Sequence, residues 1–180
     1  MANGPGVNRG RSSSLVFPAP RWDNRRRRRS VGAVGDERVI LLVEDEEDQV
    51  MLAMRALRKH GIVAEVDEVA VAGSGEKALD FLFGEGEHTG RDASVAPEFV
   101  LLDINLDGMN GLDVLKRLRQ DGRTRLLPVI LFSSSREHED VIAGYRLGAN
   151  SYVAKPANFE KFPEAMRYLG WYWLNFNEST

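Results

Sequence analysis

Five short runs of β-branched and aliphatic residues, at 39–43, 63–69, 99–102, 129–132 and 152–154, alternate with segments whose apolar residues recur at helical spacing. The runs lack the in-out alternation of a half-exposed sheet, so they suit strands covered on both faces, as in a parallel sheet. The helical segments fall at 49–60, 76–83, 112–120, 138–147 and 162–176, with Gly61, Gly84 and Gly148 at three of their ends. The pattern predicts an α/β fold, a (βα)5 doubly wound parallel sheet of flavodoxin-like type. Right-handed crossovers put helices on both faces, and a ligand belongs outside the carboxyl ends of the central strands.

At 180 residues and 43% hydrophobic content the chain suffices for one ordinary domain plus an appendage. The appendage is expected at 1–36, rich in Gly, Pro, Ser and Arg without a periodic apolar face, and reads as a disordered basic arm ahead of a domain at 37–180. That arm holds eight arginines against Asp23 and Asp36, leaving 16 basic against 25 acidic side chains beyond it. An acidic main domain disfavours specific DNA binding. The run Arg25 to Arg29 could tether the chain to nucleic acid or an anionic membrane, although such a run is more often a solvated tail. No apolar stretch is long enough for a membrane span, and no secretory signal is visible. Absence of cysteine excludes disulfides and thiolate metal sites, and a cytoplasmic location is expected.

The chemistry concentrates at the strand ends. Glu44 and Asp45 follow the first strand and Asp103 the third, so three carboxylates should converge where the sheet binds its ligand. Such a cluster repels itself without a cation, and a few hard oxygen donors with a phosphoryl co-ligand are what Mg²⁺ prefers. The fourth strand ends in Ser133, a hydroxyl donor, and the fifth in Lys155-Pro156. A nucleophilic carboxylate, a metal, a lysine and a hydroxyl are the components of in-line phosphoryl transfer.

This set, with 30 residues from Asp103 to Ser133, 22 from Ser133 to Lys155, and Gly111 after the acceptor loop, resembles the response-regulator receiver family of two-component phosphorelays over residues 38 to about 175. The resemblance implies that Asp103 takes a phosphoryl group from the phosphohistidine of a sensor histidine kinase. It implies that Asp45, Asp103 and the backbone carbonyl of Asn105 bind Mg²⁺, with Glu44 helping through water, and that Ser133 and Lys155 grip the phosphoryl oxygens. It further implies that Ser133 moves toward the phosphate and Tyr152 turns inward, reshaping the face of helix four, strand five and helix five. Asn105 and Ser135 correspond to positions lining the path of the hydrolysing water, although Ser135 serves equally well as a plain turn residue. Two departures are Asp107, where many relatives have proline, and Ser133 in place of the commoner threonine; each is expected to loosen its surroundings.

Few residues follow helix five, so output is expected through contacts. Phe162, Met166, Leu169, Trp173 and Phe176 form one stripe of that helix, with Tyr168, Trp171 and Tyr172 around the rest. Tyr168, Trp171, Tyr172, Trp173 and Phe176 are therefore expected to form a homodimer interface. The exposed insertion at 84–97, Arg123 to Leu126, Lys155 to Phe159 and the aromatic terminus together resemble single-domain regulators paired with bacterial phytochrome kinases. Two rival functions differ in class. A haloacid-dehalogenase-type phosphatase needs a second acid two residues after its nucleophile, where Asn105 is an amide. An unphosphorylated receiver-like interaction module would not need the acid, hydroxyl and lysine set. The expected protein is thus a phosphoacceptor rather than an enzyme acting on other substrates.

Overall fold

The computed structural model describes residues 38–178. The expected arm at 1–36 lies outside the described residues. Five strands, β1 (Val39–Val43), β2 (Glu68–Ala72), β3 (Phe99–Leu102), β4 (Val129–Ser133) and β5 (Ser151–Ala154), form one parallel sheet in the order β2-β1-β3-β4-β5. They alternate with α1 (Glu47–Lys59), α2 (Gly75–Phe83), α3 (Gly111–Gln120), α4 (His138–Arg146) and α5 (Phe162–Asn175). This is the doubly wound α/β fold expected from the sequence.

Strand alternation divides the core in two. Val39, Leu41 and Val43 face the side of α2 and α3, where they meet Ala78, Leu79, Val114, Leu115 and Leu118. Ile40 and Leu42 face the other side, with Ala53, Ala56 and Leu57 of α1 and Phe162, Met166, Trp173 and Leu174 of α5. A continuous apolar run is therefore what β1 requires, since each residue is buried on one face or the other.

Two expectations need correction. The strand expected at 63–69 begins at Glu68 instead, because Gly61 ends α1 at φ +74° and residues Ile62–Glu65 coil into a 3₁₀ turn. That turn places Ile62 under Gly170 of α5, where a Cβ on the glycine would come within 2.9 Å of the Ile62 side chain. Second, Phe176 does not continue the apolar stripe of α5. It caps the helix and is exposed, while Leu174 and Gly170 complete the buried face.

Packing is uneven around the sheet. Of α4 only Gly144 is buried, and Ile142 and Tyr145 on the same helix are exposed. Few buried apolar contacts make α4 the helix with least holding it to the sheet, beside the edge strand β5. The insertion at 84–97 is better fastened than its composition suggests. Arg91 lies 4.1 Å over the Phe81 ring and donates to the Val95 carbonyl at 2.5 Å.

Candidate functional site

The ladders bring the strand-end groups together. Val43 pairs with Leu102, so Glu44 and Asp103 emerge side by side one residue later. Ser133 pairs with Ala154, and Lys155 follows, its amide donating to the Ser133 carbonyl at 2.7 Å. Glu44, Asp103, Ser133 and Lys155 are all buried polar residues, unusual company unless each is paired.

Pairing is supplied by Lys155. Its ammonium donates to Glu44 Oε2, Asp103 Oδ2 and Gln49 Oε1, each at 2.6 Å. The other Asp103 oxygen accepts from the amides of Ile104 (2.6 Å) and Asn105 (3.2 Å). Burial pushes the Glu44 carboxyl above its ordinary value of 4.5, against the pull of the Lys155 ammonium. Asp45, half-buried at the rim, accepts from the Asp107 amide at 2.8 Å. A proline at 107 would lack that donor, so the departure expected to loosen the loop instead carries a bond tying it to Asp45.

Asn105 Nδ2 lies 3.5 Å from Ser133 Oγ, bringing two expected site residues to one spot. Ser133 Oγ also accepts from the Ser135 amide at 3.3 Å. Ser135 is more than a turn residue, because its hydroxyl donates to Asp140 of α4 at 2.5 Å and its carbonyl accepts from the Tyr152 hydroxyl at 3.0 Å. A bonded route thus runs from Ser133 through Ser135 to α4 and β5.

Three carboxylates against one ammonium leave the cluster two charges short, which suits a divalent cation. Among the described residues, no three acidic or imidazole groups are gathered tightly enough to cage an ion by themselves. Two acids, a loop carbonyl and water are nonetheless a donor set that Mg²⁺ accepts. The residues present therefore fit the metal.

Sequence reasoning missed one contributor and the reason for another. Gln49 belongs to no motif and is found only because α1 carries it to Lys155. Gly111 was visible, but its reason was not. A methyl there would overlap the Asp103 carbonyl oxygen and stand 2.9 Å from Ile104 Cα. Gly111→Ala is therefore expected to lose about 1–3 kcal/mol in urea unfolding, since backbone cannot give way as a side chain can. Wild-type stability in that variant would contradict the packing.

The dimer residues divide. Tyr168, Trp171, Tyr172 and Phe176 are exposed, and the Trp171 and Phe176 rings meet at a tilt of 60° with centroids 4.5 Å apart. Trp173, expected at the same interface, is instead only 8% exposed and packs against Phe99 at 6.5 Å between ring centroids. It belongs to the core because it follows Met166 by two helical turns on the face turned to the sheet.

Acidic side chains gathered around a buried lysine at the carboxyl ends of a five-stranded parallel sheet are the arrangement of a receiver domain. The family model for the response regulator receiver domain matches residues 40–167, and the chain belongs to that family. It is 31% identical over 137 residues to the response regulator Rcp1 of Synechocystis sp., covering 76% of this chain and 89% of that protein. Its fold matches that of the Mn²⁺-bound form of Rcp1 with a TM-score of 0.71 at 29% identity, over 79% of this chain and 99% of the other. It also matches the phosphorylated cyanobacterial phytochrome response regulator RcpA, with a TM-score of 0.72 at 28% identity, over 79% and 98%. Among the described residues no helix is long and apolar enough to cross a membrane.

Proposed function

We propose that this protein is a response regulator that accepts a phosphoryl group on Asp103 from the phosphohistidine of a sensor kinase of phytochrome type. The observation carrying this reading is the Lys155 ammonium shared between Glu44 and Asp103 at 2.6 Å. In the transfer an Asp103 oxygen bonds to phosphorus, the phosphorus–nitrogen bond breaks, and the kinase imidazole leaves with the electron pair. Asp45, Asp103 and the Asn105 carbonyl, with Glu44 through water, would hold Mg²⁺, which when bound would supply charge neutralisation to the transferred group. Lys155 and Ser133 bind its oxygens.

Ser133 drawn toward the phosphate gives up its present contacts with Asn105 and Ser135. Ser135 anchors both Asp140 and Tyr152, so the change reaches lightly packed α4 and lets Tyr152 turn inward. Asn105 and Ser135 tune the lifetime of the acyl phosphate by positioning water. The exposed aromatics Tyr168, Trp171, Tyr172 and Phe176 form a homodimer face. Kinase pairing implies a cytoplasmic location, and the likeness to the phytochrome response regulator RcpA supports the phytochrome assignment.

Incubation with Mg²⁺ and acetyl phosphate, followed by intact mass, tests the reading. The wild type is expected to gain one phosphoryl group and Asp103→Asn none. A wild type that stays unmodified, or a variant that gains the group equally, contradicts it.

A further inference from the structure

An ammonium has three N–H donors and no more. In Lys155 all three are taken, by Glu44 Oε2, Asp103 Oδ2 and Gln49 Oε1. A phosphoryl oxygen arriving at Asp103 can reach Lys155 only after one of these acceptors leaves. Glu44 is 4% exposed, and releasing it would strand a buried carboxylate. Asp103 is the nucleophile and keeps its charge until the new bond forms. Gln49 differs from both. Its amide is neutral, so its bond is the weakest of the three. It is half-buried in the first turn of α1, where a released amide can turn to water.

We propose that Gln49 Oε1 holds the place of the incoming phosphoryl oxygen on Lys155, making Gln49 a positioning residue that acts through Lys155 and sets how readily the phosphoryl group enters. The inference rests on the proposed phosphoryl acceptance at Asp103 and adds to it a resting state that must be exchanged. One N–H···O bond to an amide is traded for one to a phosphoryl oxygen, with no change in the donor count of the lysine.

Phosphorylation rates of the full chain by acetyl phosphate with Mg²⁺ test this in wild type, Gln49→Met and Gln49→Glu. Methionine keeps the length without a strong acceptor, and should raise the rate about threefold or more by leaving one N–H open. Glutamate substitutes a charge-assisted bond for a neutral one, and should lower the rate about tenfold. That deficit should persist at high salt, where a mere field effect on the approaching anion is screened. A structural role for Gln49 would slow both variants, so the opposite signs are the discriminating readout. A methionine variant at or below the wild-type rate overturns the inference, as does a glutamate variant that matches wild type or recovers in salt. If wild type and both variants are all unreactive, phosphoryl acceptance itself fails and takes this inference with it.

Discussion

Lys155→Met is expected to cost about 3–5 kcal/mol of folding stability at neutral pH in the absence of metal, the scale for breaking a buried ion pair. The variant leaves Glu44 and Asp103, 4% and 3% exposed, without their cation. The loss should depend on pH with a definite sign. In the wild type, burial raises the Glu44 carboxyl above 4.5, opposed by the hydrogen bond and charge of Lys155. A carboxyl raised in the folded state contributes stability that is fully present below its unfolded value and lost as pH rises through its folded value. Removing Lys155 removes the opposition, so the folded value rises further and the loss grows. The difference between variant and wild type should therefore be widest near pH 7 and narrow as pH falls toward 4.5. Urea titrations across that range, with a chelator present, provide the check. A deficit independent of pH would mean that the methylenes of Lys155, not its charge, hold the site.

Trp173→Glu is expected to unfold much of the protein rather than divide a dimer. Truncating a buried tryptophan costs about 3–5 kcal/mol, and an unpaired carboxylate in the same place adds to that. A domain holding about 5–15 kcal/mol in total cannot absorb such a loss without populating unfolded chain. Tyr172→Glu makes the contrast. Tyr172 is 52% exposed, so the variant should stay folded. Under the proposed dimer its mass by light scattering should fall to that of one chain, with a thermal midpoint close to wild type. A cooperative, wild-type transition in Trp173→Glu would refute the assignment of Trp173 to the core. A Tyr172→Glu mass equal to wild type would remove the dimer face.

These contrasts show where the sequence was legible. A strand buried on both faces must be an unbroken apolar run, so Val39–Val43 and Phe99–Leu102 declare their limits. The groups proposed for the site are the first residues after those limits, which makes Glu44 and Asp103 readable from the sequence. Strand β2 was harder because it lies at the sheet edge and alternates, with Val71 exposed. Val63 and Val66 have the right residue type for a strand, yet they sit in and just after the 3₁₀ turn that follows Gly61. On α5 the spacing of aromatics fixes which residues share a face but not how wide the buried face is. Gly170 widens it by letting Ile62 approach, and so Leu174 enters the core while Phe176 stays out. Gln49 shows the remaining limit, since a neutral side chain acquires meaning only when the acceptors around Lys155 are counted.

Reductive trapping addresses the central claim most directly. After phosphorylation with Mg²⁺ and acetyl phosphate, borohydride reduces an acyl phosphate to the alcohol, turning phosphoaspartate into homoserine, which peptide mapping locates by mass. The account predicts homoserine at position 103 and nowhere else. Homoserine at Asp45 or Asp107, or none at any position in a folded and Mg²⁺-loaded sample, would contradict it.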